Sequence, residues 1–361
     1  MRKAEDVVIY RDELWYSSFP SVVSRVDGEL LVAFRRAPDR RVRYGASGCT
    51  HADPNSNLVL VRSSDSGQTW SSEPEQIHTH PCGGSQDPCM LQLADGSIVC
   101  ASYLWTMMSE GDNRPGHVVR VLASWDMGAL GGYLVHSEDA GRTWSAPVYP
   151  PAFEDDTLAA TGSPRPPLNR GAMVQASDGC LYWAVVRTPQ ELGHTVLELL
   201  VSEDGGISWT HRSHLAGDES VVMNETSLIQ TVGGDLVAFV RTASFGDHGL
   251  LVRSRDMGAT WEPWEDLGVV GHPYHAVRLP CGHVLIAYGY RHEPFGIRVR
   301  VMDPECIAFV EGEIVLRADG GNTDIGYPWA CVTPEGRVLV TYYINHGDGT
   351  RYIAGTFLDM D

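Results

Sequence analysis

Lysine is almost missing from this chain: Lys3 is the only one in 361 residues. Schiff-base chemistry is effectively excluded. Nearly all positive charge sits on arginine, whose rigid fork suits two-point binding of carboxylates. Positive charge is also outnumbered, with 27 Lys and Arg against 46 Asp and Glu and a formal net charge of −19. That argues against a nucleic-acid partner, which needs a basic face to release counterions from phosphates. No run of eighteen apolar residues occurs, and Met1 to Asp6 leads into no apolar signal core; the expectation is a cytoplasmic protein with no membrane partner. Cysteine pairs of the Cys-x-x-Cys kind are lacking too. Cys49, Cys82, Cys89, Cys100, Cys180, Cys281, Cys306 and Cys331 are scattered, and read as buried free thiols rather than disulfides or a zinc site. His78 with His80 and His272 with His275 lack a third fixed ligand, so neither metal nor cofactor is expected. Phosphate loops, dinucleotide fingerprints, serine elbows and His-Glu-x-x-His motifs are absent.

What is present is repetition. The octet Ser-x-Asp-x-Gly-x-Thr/Ser-Trp occurs four times, as Ser63–Trp70, Ser137–Trp144, Ser202–Trp209 and Ser254–Trp261. Its Asp can bond nearby backbone amides, its Gly can take positive φ, and its Trp can bury against the next layer, so it reads as a hairpin turn. A second unit occurs six times, a Gly-containing turn followed by an apolar run of β-formers. The turn glycines are Gly28, Gly96, Gly179, Gly234, Gly282 and Gly336, leading for example into LLVAF, LYWAV and VLVTYY. Such runs are short strands, and no convincing amphipathic helix interrupts them.

The unit recurs every roughly 45 to 85 residues, a period of propeller blades rather than of helical solenoids. Six turn-strand units with four octets therefore predict an all-β, six-bladed β-propeller in which blades five and six have lost the octet. Met302-Asp303-Pro304 stands in its place in the fifth. The ring must close, so the first strand, around Val7 to Tyr10, is expected beside Tyr352 to Leu358. No domain boundary remains, and the whole chain, 1–361, reads as one propeller. The insertions Arg36 to Asn57, Ser109 to Leu130 and Ala152 to Asn169 read as loops over one face.

The octets resemble the Asp-box of sialidases and their relatives, and with the six units the resemblance covers essentially the whole chain. Asp-boxes lie on the outside of blades and also occur in propellers that are not sialidases, so they speak for fold more than for activity. The resemblance implies a Tyr nucleophile paired with a Glu, an Asp acid/base and three Arg that grip a substrate carboxylate, a departure from the usual two-carboxylate glycosidase. Asn224-Glu225-Thr226 followed by Phe239-Val240-Arg241 matches the family's Glu and second Arg. Tyr327, in Asp324-Ile325-Gly326-Tyr327-Pro328, matches the nucleophile, and Asp53, before Pro54, the acid/base. The third Arg is either Arg291 or Arg298.

One position departs from the pattern. Where the family carries its first Arg in an Arg-Ile-Pro element, this chain has Ser18-Phe19-Pro20. Unless Arg35 or Arg36 swings in from the following strand, the carboxylate grip is short by one charge-assisted fork. The structural alternatives are plain: Glu225 as a strand-end acid, Tyr327 as a core aromatic, Asp53 as a turn residue. The resemblance implies a sialidase-like exo-glycoside hydrolase with a carbohydrate partner and an acidic or sialic-acid-like substrate. The alternatives are a propeller polysaccharide lyase acting on a uronate and a non-catalytic carbohydrate-binding propeller.

Overall fold

A computed structural model of the protein describes residues 1–45, 50–108, 118–122 and 125–360. The six turn-strand units build six antiparallel sheets arranged as blades. Blade one runs from the axis outward through Trp15–Ser24, Leu30–Pro38, Asn57–Ser63 and Glu75–His78. Blade four repeats this with Met223–Gln230, Leu236–Thr242, His248–Ser254 and Glu265–Val270. The second strand of a blade is covered on both faces by its neighbours, which is why it reads as an unbroken apolar run rather than an alternating one. Leu30, Leu31, Val32, Ala33 and Phe34 are all fully buried.

Closure is as expected. Arg2–Tyr10 is the outer strand of blade six and pairs with Tyr352–Asp359, placing Val7 opposite Gly355 and Tyr10 opposite Ile353. The last blade is thus made from both ends of the described chain, which fastens the ring of blades closed.

The octets are the turns that follow the third strands. In the second copy Asp139 accepts from the Thr143 amide (2.8 Å) and hydroxyl (2.6 Å) and from the Ser137 hydroxyl (2.9 Å), which itself accepts from the Gly141 amide. The same bonds recur around Asp65, Asp204 and Asp256. Trp209 is buried against Trp183, with ring centroids 5.5 Å apart. In blade five Asp303 keeps part of the role, accepting from the amides of Glu305 and Ile307.

Two sequence-based expectations need correction. The second insertion is not all loop: Ile98–Met108 and Trp125–Ser137 form a long ribbon, with Val118–Leu122 at its edge. Residues 109–117 lie outside the described residues. Nor are the thiols uniformly buried. Cys89, Cys100, Cys306 and Cys331 are, but Cys82 and Cys281 are exposed and Cys180 is intermediate; Cys49 lies outside the described residues. The one helix among the described residues is Arg41–Tyr44, and no helix is long and apolar enough to cross a membrane.

Candidate active site

In every blade the innermost strand begins, and the second strand ends, on the same face. That face therefore collects the residues that precede each turn-strand unit by a fixed distance. Tyr327 stands nine residues before Gly336 (336 − 327 = 9) and Glu225 nine before Gly234 (234 − 225 = 9). The same count leads to Phe19, Asp87, Arg170 and Pro273 before Gly28, Gly96, Gly179 and Gly282. All six turn glycines have φ between 82° and 100°, so each turn has the same left-handed geometry. An equal residue count from a common turn sets the six residues at a similar height.

Two members of this ring carry unusual backbones. Phe19 and Tyr327 have φ of 57° and 50°, each preceding a proline and each at a break in register, between Ser18 and Ser21 and between Gly326 and Trp329. Non-glycine residues held there cost on the order of 1–3 kcal/mol each, and such strain gathers at functional sites. The two rings lean together, centroids 4.6 Å apart, with Tyr343 behind them.

The Tyr327 hydroxyl donates to Glu225 Oε1 at 2.6 Å and accepts from Arg241 Nη1 at 3.0 Å, while the same Arg241 nitrogen pairs with Glu225 Oε2. Glu225 is set by its neighbours. The Asn169 amide group bonds both the Thr226 carbonyl (2.7 Å) and the Thr226 amide (3.1 Å), and Gly171 lies so close that a Cβ there would fall 1.9 Å from the Thr226 oxygen. Burial raises the pKa of Glu225, but Arg241, the Tyr327 hydroxyl and Arg170 outweigh it, and the carboxylate is held below its ordinary value. Burial and the Glu225 charge push the Tyr327 phenol well above its ordinary value. The resting pair is therefore a neutral phenol donating to a carboxylate, the arrangement in which a base can take the proton as the phenol attacks.

Arginines surround this pair. The guanidinium carbons of Arg291 and Arg170 each lie 5.3 Å from the Tyr327 ring centroid, and that of Arg241 6.0 Å away. Arg291 is held by the Ile325 carbonyl and keeps part of its surface open, as does Arg241. Arg298 is not part of the cluster. It sits in the third strand of blade five, is 3% exposed, and binds the carbonyls of Pro294 and Arg317 beneath Tyr290. Arg35, opposite Ser18 in register, is fully buried behind Tyr16 and Phe19 and bonds the Thr50 carbonyl at 3.2 Å. Arg36 points the other way, over Trp15. The Asp53 carboxylate pairs with Arg40 and accepts from the Asn55 amide, with no hydrogen bond to the Tyr-Glu pair among the described residues. His51, two residues earlier, packs edge-on to Phe19 and bonds Asp324 at 2.9 Å.

A cavity of about 770 Å³ lies on the axis, opens on the opposite face and is walled mainly by aliphatic strand residues. Its ionisable groups do not converge. A smaller cleft, about 280 Å³, adjoins Glu225 and Arg170 and is walled by Tyr103, Trp105, Leu168 and Thr195. Of the Tyr-Glu pair and the arginines around it, Glu225 and Arg170 line this cleft. Over residues 121–340, more than half of the chain, the sequence matches the BNR repeat-like domain. The chain belongs to that family. A protein of unknown function from Dyadobacter fermentans is 48% identical over 100% of this chain and 99% of that one, with a TM-score of 0.93. The BNR-repeat propeller also has the fold of the NanB sialidase of Streptococcus pneumoniae (13% identity, TM-score 0.69, 98% of this chain and 70% of that one). The Trypanosoma rangeli sialidase is similar as well (16% identity, TM-score 0.64, 99% and 58%). No curated protein sequence matches.

Three residues of this BNR-repeat site were missed in the sequence. Arg170 and Asp87 are ring members, and the nine-residue count would have found them. Asp87 is 1% exposed, accepts from Tyr103 at 3.3 Å, and is pushed up to about 7 by burial, against the pull of Arg170. Asp324 accepts from Tyr16, Tyr343, His51 and Arg351; burial works against ionisation, but these partners hold it far below the carboxylate range. It lies three residues before Tyr327, and no local signal separates it from a turn Asp. His272, beside the ring position Pro273, is buried next to Arg241 and Arg291 and its pKa falls to about 2, mainly through desolvation, so its imidazole is neutral.

Proposed function

We propose that this propeller is a sialidase-like exo-glycoside hydrolase acting on an acidic, sialic-acid-like sugar. Tyr327 Oη attacks the anomeric carbon as the glycosidic C–O bond breaks, and Glu225 takes the phenolic proton. The leaving oxygen takes a proton from a carboxyl, for which Asp53 is the candidate, on the loop that packs against Phe19 through His51. Water then reverses the steps and frees the sugar. Arg241 and Arg291 face the mouth and orient the sugar's carboxylate, with Arg35 adding its field from behind the aromatic wall.

The observation that carries this is the 2.6 Å bond from Tyr327 to Glu225 under the shared cation Arg241. A phenol is a poor nucleophile at neutral pH, and a buried carboxylate in contact with it is what activation requires. The test is a screen of the full chain on fluorogenic glycosides, including 4-methylumbelliferyl sialoside, with mass spectrometry after incubation with a 2,3-difluorosialic acid. Release of methylumbelliferone and a sugar adduct on the Tyr327 peptide are expected. An unsaturated product absorbing in the ultraviolet would make it a lyase, and saturable binding without turnover or adduct would make it a binding protein.

A further inference from the structure

Arg170 has no assigned task in the chemistry above, yet it is almost completely enclosed beside Tyr327. It is 1% exposed and belongs to blade three, opposite blade six across the ring. One of its terminal nitrogens, Nη2, donates to the Pro20 carbonyl at 3.2 Å and to the Tyr327 carbonyl at 3.1 Å. Both carbonyls lie inside the register breaks, where the ladder skips from Ser18 to Ser21 and from Gly326 to Trp329. A buried carbonyl deprived of its strand partner destabilises the fold if nothing replaces the bond. Arg170 replaces two such bonds with one nitrogen. Its guanidinium carbon also lies 5.3 and 4.8 Å from the ring centroids of Tyr327 and Trp329. The Asp87 carboxyl, from blade two, lies 4.0 Å from its Nε.

We infer that Arg170 is a positioning residue that ties the bulges of blades one and six across the axis and thereby holds Tyr327 in its left-handed backbone, with the hydroxyl on Glu225. Without the tie, the Tyr327 peptide can relax towards extended backbone, and a shift of that kind swings the hydroxyl off the carboxylate. The inference rests on the Tyr327 nucleophile reading for its kinetic consequence, but its structural consequence stands alone.

The test uses Arg170→Met, which keeps the length and removes charge and donors, and Arg170→Lys, which restores the charge and a donor. In crystal structures, Arg170→Met is expected to show Tyr327 outside the left-handed region with its hydroxyl beyond hydrogen-bond reach of Glu225. On 4-methylumbelliferyl sialoside, kcat should fall by roughly a hundredfold, the cost of an ångström-scale misplacement, with KM within about threefold of wild type. Arg170→Lys should recover part of kcat. The inference is overturned if Tyr327 keeps its φ and its bond to Glu225 in Arg170→Met, or if kcat per folded molecule is unchanged. Should Arg170→Met fail to fold, Arg170→Lys decides by the same structural measurement, since loss of the fork alone should loosen at least one of the two carbonyl ties. If the wild type cleaves no sialoside at all, the functional reading falls while the structural comparison still decides the tie.

Discussion

Replacing Tyr327 by phenylalanine takes one oxygen from the site and leaves the ring that packs on Phe19. The lost hydroxyl donates to Glu225 at 2.6 Å and accepts from Arg241 at 3.0 Å. Glu225 keeps its pairing with Arg241, so no charge is stranded. The stability cost should be that of a hydrogen bond to a charged group, about 1.5–3 kcal/mol. The effect on turnover should be far larger. Without the phenol the base has no proton to take, and base assistance alone is worth about 10²–10⁴. We expect kcat on 4-methylumbelliferyl sialoside to fall at least a hundredfold, with KM nearly unchanged because the arginines remain. The wild type supplies a second check. Glu225 must be ionised, and its folded pKa lies below the ordinary value, so its acid limb should appear only as pH falls below about 4.3, the unperturbed glutamate pKa. A folded Tyr327→Phe variant that retains kcat within about tenfold would refute the assignment, since a nucleophile cannot be optional to that degree.

Other predictions test the surroundings. Asp87, raised to about 7 by burial, binds its proton more tightly folded than unfolded. Wild-type stability should therefore fall between about pH 4 and 7, by at most about 1.4 kcal/mol per unit. Asp87→Asn should remove that slope; urea midpoints at pH 5 and 7 that fall equally in both proteins would count against it. Arg291→Met should lower kcat/KM on an acidic sugar roughly ten- to a hundredfold, the worth of one charge-assisted bond. An equal loss on a neutral glycoside would show that Arg291 does not read charge. Asp139, held at about 2 chiefly by the Thr143 hydroxyl and amide, contributes stability that is present above its unfolded pKa and lost as pH falls towards 2. Asp139→Asn should flatten that acid loss in circular dichroism melts, and an unchanged acid profile would refute it.

The sequence by itself determined the blades, because each second strand is buried on both faces and must be written as an apolar run, and each turn needs a glycine at positive φ. It determined closure too, since a ring leaves the first strand one place to pair. Glu225 and Tyr327 were picked out by their resemblance to family motifs; the nine-residue distance from a turn that they share with Asp87 and Arg170 is likewise a one-dimensional quantity. Tertiary structure decided what lies off that count. Arg291 follows the end of a second strand and so reaches the axial face, whereas Arg298 is held within blade five by the carbonyls of Pro294 and Arg317. Arg35 and Arg36 are adjacent, yet alternation along the strand sends one behind Phe19 and the other over Trp15. The two register breaks that turn Phe19 and Tyr327 into left-handed backbone, and the single arginine that bonds both released carbonyls, depend on three blades meeting at the axis. Residues 20, 170 and 327 are brought within hydrogen-bond distance only when the ring closes.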